Sequence, residues 1–138
     1  MNVRYVLLTL LYCLGIFLLS SSENPVHIKM RFHQEDKVLH AVLYGGLAGV
    51  VSLGIRRSGK PVRASIQFWV PIVFAALYAV SDELHQFFVP GRNCDILDVL
   101  ADTVGAIVVS VVLCRYVWRI RAIPWETICS LTPNRKKR

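Results

Sequence analysis

Asp82, Glu83, His85 and Gln86, followed by Arg92 and then by Asp95, Asp98 and Asp102, gather acids, an imidazole, an amide and a guanidinium into one stretch of a greasy chain. Upstream, Asp36, Lys37 and His40 form a second polar group, with the phenols Tyr44 and Tyr78 at related helical positions. Residues of these types do three kinds of chemistry. Paired carboxylates move protons as general acid and base, which makes Asp82, Glu83 and Asp98 the candidates for catalysis. Imidazole with carboxylate suits zinc or manganese; His40, Asp82, His85 and Asp98 are the candidates there, although no HExxH or comparable fixed spacing backs a metal. The same groups also bind a polar ligand, with the planar guanidinium of Arg92 suited to a phosphate or carboxylate headgroup or to an internal salt bridge with Asp95. Tyr44 and Tyr78 read as packing residues with satisfied hydroxyls rather than as catalytic acids. The bland alternative for the whole set is a network of ion pairs and hydrogen bonds that staples helices together. Ionisable groups inside a membrane span are costly and functional by default, so a ligand, proton or metal site is the favoured reading.

These residues ride on four apolar runs. The 138-residue chain is one domain by length, 54% apolar with mean hydropathy +0.48, which exceeds an ordinary soluble domain. The implied class is an all-α integral membrane protein, a four-helix bundle. Residues 3–20 carry a single arginine, Arg4, and end in three serines. A secretory signal peptide looks the same; retained, residues 1–22 hold the first transmembrane helix. Further helices are expected at about 36–55, 65–88 and 95–118, near the roughly 20 residues that cross a bilayer core.

At 100° per residue, Lys37, His40 and Tyr44 share one face of the second helix, with Asp36 at its edge. On the third, Tyr78, Asp82 and His85 share a face, Gln86 lies at its margin and Glu83 points well away. Asp95, Asp98 and Asp102 fall within roughly 60° of one another on the fourth. Beside these polar faces run Ala41, Gly45 and Gly49, and Ala101 with Gly105, the small-residue spacing that lets helix backbones approach in lipid. Pro71 is a candidate kink, which membrane helices tolerate. Pro90 and Gly91 end the third helix. Trp118 and Trp125 suit the headgroup level.

Loop charge sets the topology. With four spans, the N-terminus, the second loop and the tail carry twelve of the sixteen Lys and Arg residues, and the other two loops carry four. The positive-inside bias predicts both termini in the cytoplasm (N-in/C-in), with 119–138 a basic cytoplasmic tail. The polar residues then converge on the outer half, six acidic groups against Lys37 and Arg92. Such crowding favours a shared proton or cation. Asp102, two turns past Asp95 and roughly 10 Å deeper, is expected to be hydrogen-bonded or protonated, with His40 and Tyr44 as partners.

The net charge of +7 raises nucleic-acid binding, which is excluded because the basic residues flank spanning runs instead of lining a soluble face. The four cysteines show no zinc spacing, and in this topology only Cys94 faces the oxidising side, so no intramolecular disulfide is expected. No nucleophile motif, phosphate loop or nucleotide fingerprint is present, and no cofactor is implied.

Asp36-Lys37 with His40 and Tyr44, then Tyr78, Ser81-Asp82-Glu83 and Gln86, then Phe88 with Pro90-Gly91-Arg92, then Asp98 and Gly105, resemble in order and spacing the VanZ-like family of small bacterial membrane proteins. The resemblance covers about residues 36–106. It makes 23–118 a VanZ-like domain and implies a multi-pass protein of the bacterial cytoplasmic (inner) membrane, in a family whose founding member is associated with resistance to the glycopeptide antibiotic teicoplanin. One departure is that Asp102 stands where the family usually places asparagine.

The resulting expectation is a cell-envelope protein whose partners are the lipid bilayer and an amphipathic cell-wall, lipid-linked or glycopeptide ligand. Asp36, Lys37, His40, Tyr44, Tyr78, Asp82, Glu83, His85, Gln86, Arg92, Asp98 and Asp102 are the candidate ligand-binding residues. The alternatives are a small intramembrane enzyme using paired carboxylates in acid-base or metal-assisted hydrolysis, and a purely structural bundle.

Overall fold

The apolar runs become helices because a backbone in hydrocarbon must satisfy its polar groups within the segment. The computed structural model describes residues 3–21, 34–59, 61–90 and 95–117, with 34–36 described by their backbone alone. Helix α1 is Val3–Ser20, α2 Gln34–Arg56, α3 Ala64–Gln86 and α4 Ile96–Val112, the last continuing into a wider π-helical turn, Leu113–Val117. Four helical segments are long and apolar enough to cross a membrane. The expected all-α, four-helix membrane architecture is therefore the observed one, and no strand occurs among the described residues.

The helix ends are set locally. In the turn after α2, Gly59 adopts φ 73°, a conformation that side chains with a Cβ rarely take. Pro71 is buried within α3, which passes through it without interruption. That helix stops at Gln86, short of the expected boundary, and Phe87 and Phe88 lie in the following turn with their rings edge to face at 5.3 Å. Helix α4 begins at Ile96, because Asp95 is its N-cap. Arg92 and Cys94, the side chain of Asp36, the loop bearing Lys29 and Arg31, and the tail with Trp118, Trp125 and Cys129 lie outside the described residues.

The core centres on α2. Tyr44, Leu47, Ala48, Val51 and Ile55 are buried in one cluster with Ala75 and Ala79 of α3, Ala106 of α4 and Ile16 of α1. Helix α2 packs most extensively on α4, along the predicted small-residue seam. A Cβ on Gly45 would lie 3.0 Å from Val109 Cγ2 and 3.1 Å from the Gly105 carbonyl oxygen, whereas one on Gly49 would make ordinary contact with Val109. A Cβ on Gly105 would strike the main chain of Ala41. Gly105 is therefore the tightest point of the seam, and Ala101 is partly buried beside it.

At the other end of the α2–α3 interface, buried Gln67 donates through Nε2 to the Ser52 carbonyl at 2.8 Å and to Ser52 Oγ at 3.1 Å. Polar side chains bonded across helices supply packing specificity where lipid offers no hydrophobic drive.

Helix α1 lies against α2 and α3 and reaches the core through Ile16, with Tyr12 and Cys13 packed beside it. It exposes Leu7, Leu8, Leu10, Leu11, Leu14 and Leu18, a surface suited to lipid. Two tyrosines fasten it. The Tyr12 hydroxyl donates to the Leu43 carbonyl at 3.0 Å while lying over Gly46, and the Tyr78 hydroxyl donates to the Cys13 carbonyl at 2.7 Å. Membrane hydrogen bonds of this kind are worth about 0.6 kcal/mol on average. Tyr12→Phe with Tyr78→Phe should therefore loosen α1 by about 1 kcal/mol, raising maleimide labelling of Cys13 while α2–α4 stay assembled. Unchanged labelling would show that α1 is held without these two bonds, by side-chain packing and its contacts with His85.

Candidate functional site

One end of the bundle is formed by the start of α2, the end of α3 and the start of α4, and the polar residues of all three meet there. At its rim Lys37 of α2 bridges two acids of α4, with Nζ at 2.8 Å from Asp95 Oδ2 and 2.7 Å from Asp98 Oδ1. Asp95 also caps its helix, its Oδ1 accepting from the Leu97 N–H at 2.9 Å. Acids in the first turn of a helix meet the positive end of its dipole, so Asp95 and Asp98 suit α4 as well as Lys37. A salt bridge from Arg92 was one of the two readings of that arginine, which lies outside the described residues; the cation seen on Asp95 is Lys37.

Helix α3 meets this arrangement through Glu83, whose Oε2 accepts the Asp95 N–H at 2.9 Å. Glu83 is 4% exposed, so it points into the protein and not, as its angle from Tyr78 had implied, out of the site. The reason is geometric. Taking Tyr78 as zero, Asp82 lies at about 40°, Gln86 at about 80°, Glu83 at about 140° and His85 at about −20°. The buried side of α3 holds Ala75, Ala79, Asp82, Glu83 and Gln86, so its centre falls near Asp82 and Gln86. Glu83 then faces α4, and Tyr78 and His85 face α1. His85 accordingly stacks on Phe17 at 4.6 Å and pairs through Nε2 with Ser21 Oγ at 3.1 Å. It is thereby separated from the acids with which it had been grouped.

Below the rim lies a drier group. His40 Nδ1 is 3.2 Å from Asp102 Oδ1 and 3.5 Å from Oδ2, the former contact close and the latter at the limit of a hydrogen bond. Asp102 is 1% exposed and Asp82 5%. Asp82 Oδ2 accepts from Gln86 Nε2 at 3.2 Å, one helical turn on. The His40 and Tyr44 rings are stacked at 6.4 Å and nearly parallel, and Tyr78 follows at 6.2 Å from Tyr44. The Tyr44 hydroxyl is close enough to feel the charges of Asp82 and Asp102. Its contact with Asp82 falls short of a full hydrogen-bond geometry among the described residues.

The predicted face Lys37–His40–Tyr44 is thus the wall of α2 that meets α4, and His40 is the expected partner of Asp102. Among the described residues no three His, Cys, Asp or Glu side chains converge as metal ligands would, and His85 is turned away from His40, Asp82 and Asp98. Cys13 and Cys114 are free thiols. Sequence reasoning missed Gln67 and Ser52; the only signal was a glutamine at the apolar start of α3, on the side later shared by Asp82. It also missed the two tyrosine bonds to α1, which periodicity does not encode.

A family model described as VanZ/LLP1 matches residues 4–119. No curated protein and no solved structure matches the chain.

Proposed function

The chain belongs to the VanZ/LLP1 family, and on that footing we propose that it binds an amphipathic ligand at the polar end of its bundle, in the bacterial cytoplasmic membrane. The ligand class is a cell-wall or lipid-linked molecule or a glycopeptide. The observation that carries this reading is the burial of Asp82 and Asp102, from two helices, beside His40 and Tyr44 of a third. A bundle needing only to pack would place apolar side chains there, since breaking or burying charge in a span is costly.

Both termini lie inside in this reading, supported by the twelve-to-four division of Lys and Arg between the two sets of loops and the positive-inside bias. The polar end then faces outward, and the domain layout is a first span (1–22), the family domain (23–118) and a basic tail (119–138).

Two measurements test it. Accessibility tags should report the Arg57 turn inside and the Arg92 turn outside; the reverse would sink the outward assignment. In cells whose glycopeptide susceptibility changes on expression of the chain, Asp82→Asn and Asp102→Asn should abolish that change at unaltered protein level.

A second reading, a purely structural bundle, is favoured by the way Lys37, Asp95, Asp98 and Glu83 close on one another at the rim. It predicts that the same two variants alter stability in detergent while leaving susceptibility unchanged.

A further inference from the structure

The sign of the ligand follows from how the acids at the polar end are used. Among the described residues that end holds Asp82, Glu83, Asp95, Asp98 and Asp102, against Lys37 as the one fixed cation. The two remaining charged residues of the cluster, Asp36 and Arg92, are of opposite sign and leave the balance unchanged. Lys37 is engaged by Asp95 and Asp98 at the rim, and Glu83 receives a main-chain N–H. The deeper acids have weaker support: an imidazole for Asp102 and a carboxamide for Asp82.

Between them the Tyr44 hydroxyl, on a residue 1% exposed, faces both carboxylates, leaning on Asp82 without a bond of full geometry. Three oxygens able to accept therefore converge where the described residues supply no fixed cation: two carboxylates and a phenol oxygen. An ammonium group has three donors and no acceptor, and aromatic faces attract a cation. The rings of His40, Tyr44 and Tyr78 line the same place. The outer faces of the same two helices expose Val38, Val42, Leu97 and Leu100, a surface suited to the apolar chain of an amphipathic amine. A phosphate there would meet like charge.

We propose that Asp82, Asp102 and the Tyr44 hydroxyl form an ammonium-binding site, and that the ligand class is a primary amine carried by an amphipathic molecule. The proposal rests on the reading of the polar end as a ligand site and adds the charge and donor pattern of what enters it.

The test uses the full chain purified in detergent, with calorimetric titration of decylamine, decyltrimethylammonium and decyl phosphate. Decylamine should bind saturably, one per chain, at least tenfold more tightly than decyltrimethylammonium, which has the charge without the donors. Asp82→Asn and Asp102→Asn should each weaken decylamine at least tenfold. Tyr44→Phe, which keeps the ring and guards against misfolding of the acid variants, should weaken it severalfold, and Arg57→Gln at the opposite end should leave it unchanged. Saturable binding of decyl phosphate in place of the amines, weakened by Lys37→Gln, would overturn the proposal while leaving a ligand site in place. If none of the three amphiphiles binds saturably to folded protein, the proposal and the ligand-site reading fall together.

Discussion

Gly105→Ala should destabilise the bundle by about 3 kcal/mol, at the upper end of what overpacking costs, measured by unfolding in mixed detergent micelles. The usual effect of this substitution in a helix is the opposite, a gain approaching 1 kcal/mol from reduced backbone freedom. The sign reverses here because the new methyl meets the main chain of Ala41, which cannot rotate aside as a side chain can. Helices α2 and α4 must separate, and the bonds of Lys37 and His40 to α4 lengthen with them. The neighbouring glycines provide the controls. Gly45→Ala should cost less, because one of its close contacts is the methyl of Val109, and Gly49→Ala should be near neutral, its contact lying at 3.5 Å. Gly15→Ala meets nothing within 4 Å. Equal effects at all four positions would mean that α2 and α4 do not interlock at Gly105.

His40→Leu should cost a further large amount, about 3 kcal/mol, the lower bound for removing one member of a buried pair. The loss comes less from the pair itself than from what remains: Asp102, 1% exposed, without the imidazole at 3.2 Å. Adding Asp102→Asn should recover at least half of it, since an amide in the same place carries no charge to desolvate. Asparagine is also the residue that the family resemblance leads one to expect there. The double variant separates this from simple loss of packing at position 40. If the two substitutions add independently, His40 and Asp102 are not coupled.

Hydropathy and charge made the spans and the polar end legible, because in lipid both are dictated by solvation: a residue such as Asp102 has few places to be. The Ala41–Gly45–Gly49 stripe was legible for a related reason, as small residues at four-residue spacing have one physical use between helices. What the pattern could not supply was the direction in which α3 faces. Its polar residues were ordered correctly around the helix, but the face shared by Tyr78, Asp82 and His85 was taken as the one turned to the site, and a rotation of roughly 60° exchanges the fates of Glu83 and His85. That rotation is fixed by Ala75 and Ala79 packing in the core. Alanines look alike on every face of an apolar run. The Gln67–Ser52 contact was hidden similarly, since each residue alone reads as the polar margin of a span.

The two bonds that fasten α1 end on main-chain carbonyls, at Leu43 and Cys13. A carbonyl is present whatever side chain its residue carries, so these attachments place no demand on the identity of positions 43 or 13. The specification of how α1 docks lies instead in side chains: Tyr12 over Gly46, Tyr78, Ile16 in the core, and Phe17 and Ser21 against His85. The freedom to vary among apolar residues is left to the outward positions of that helix, Leu7, Leu8, Leu10, Leu11, Leu14 and Leu18.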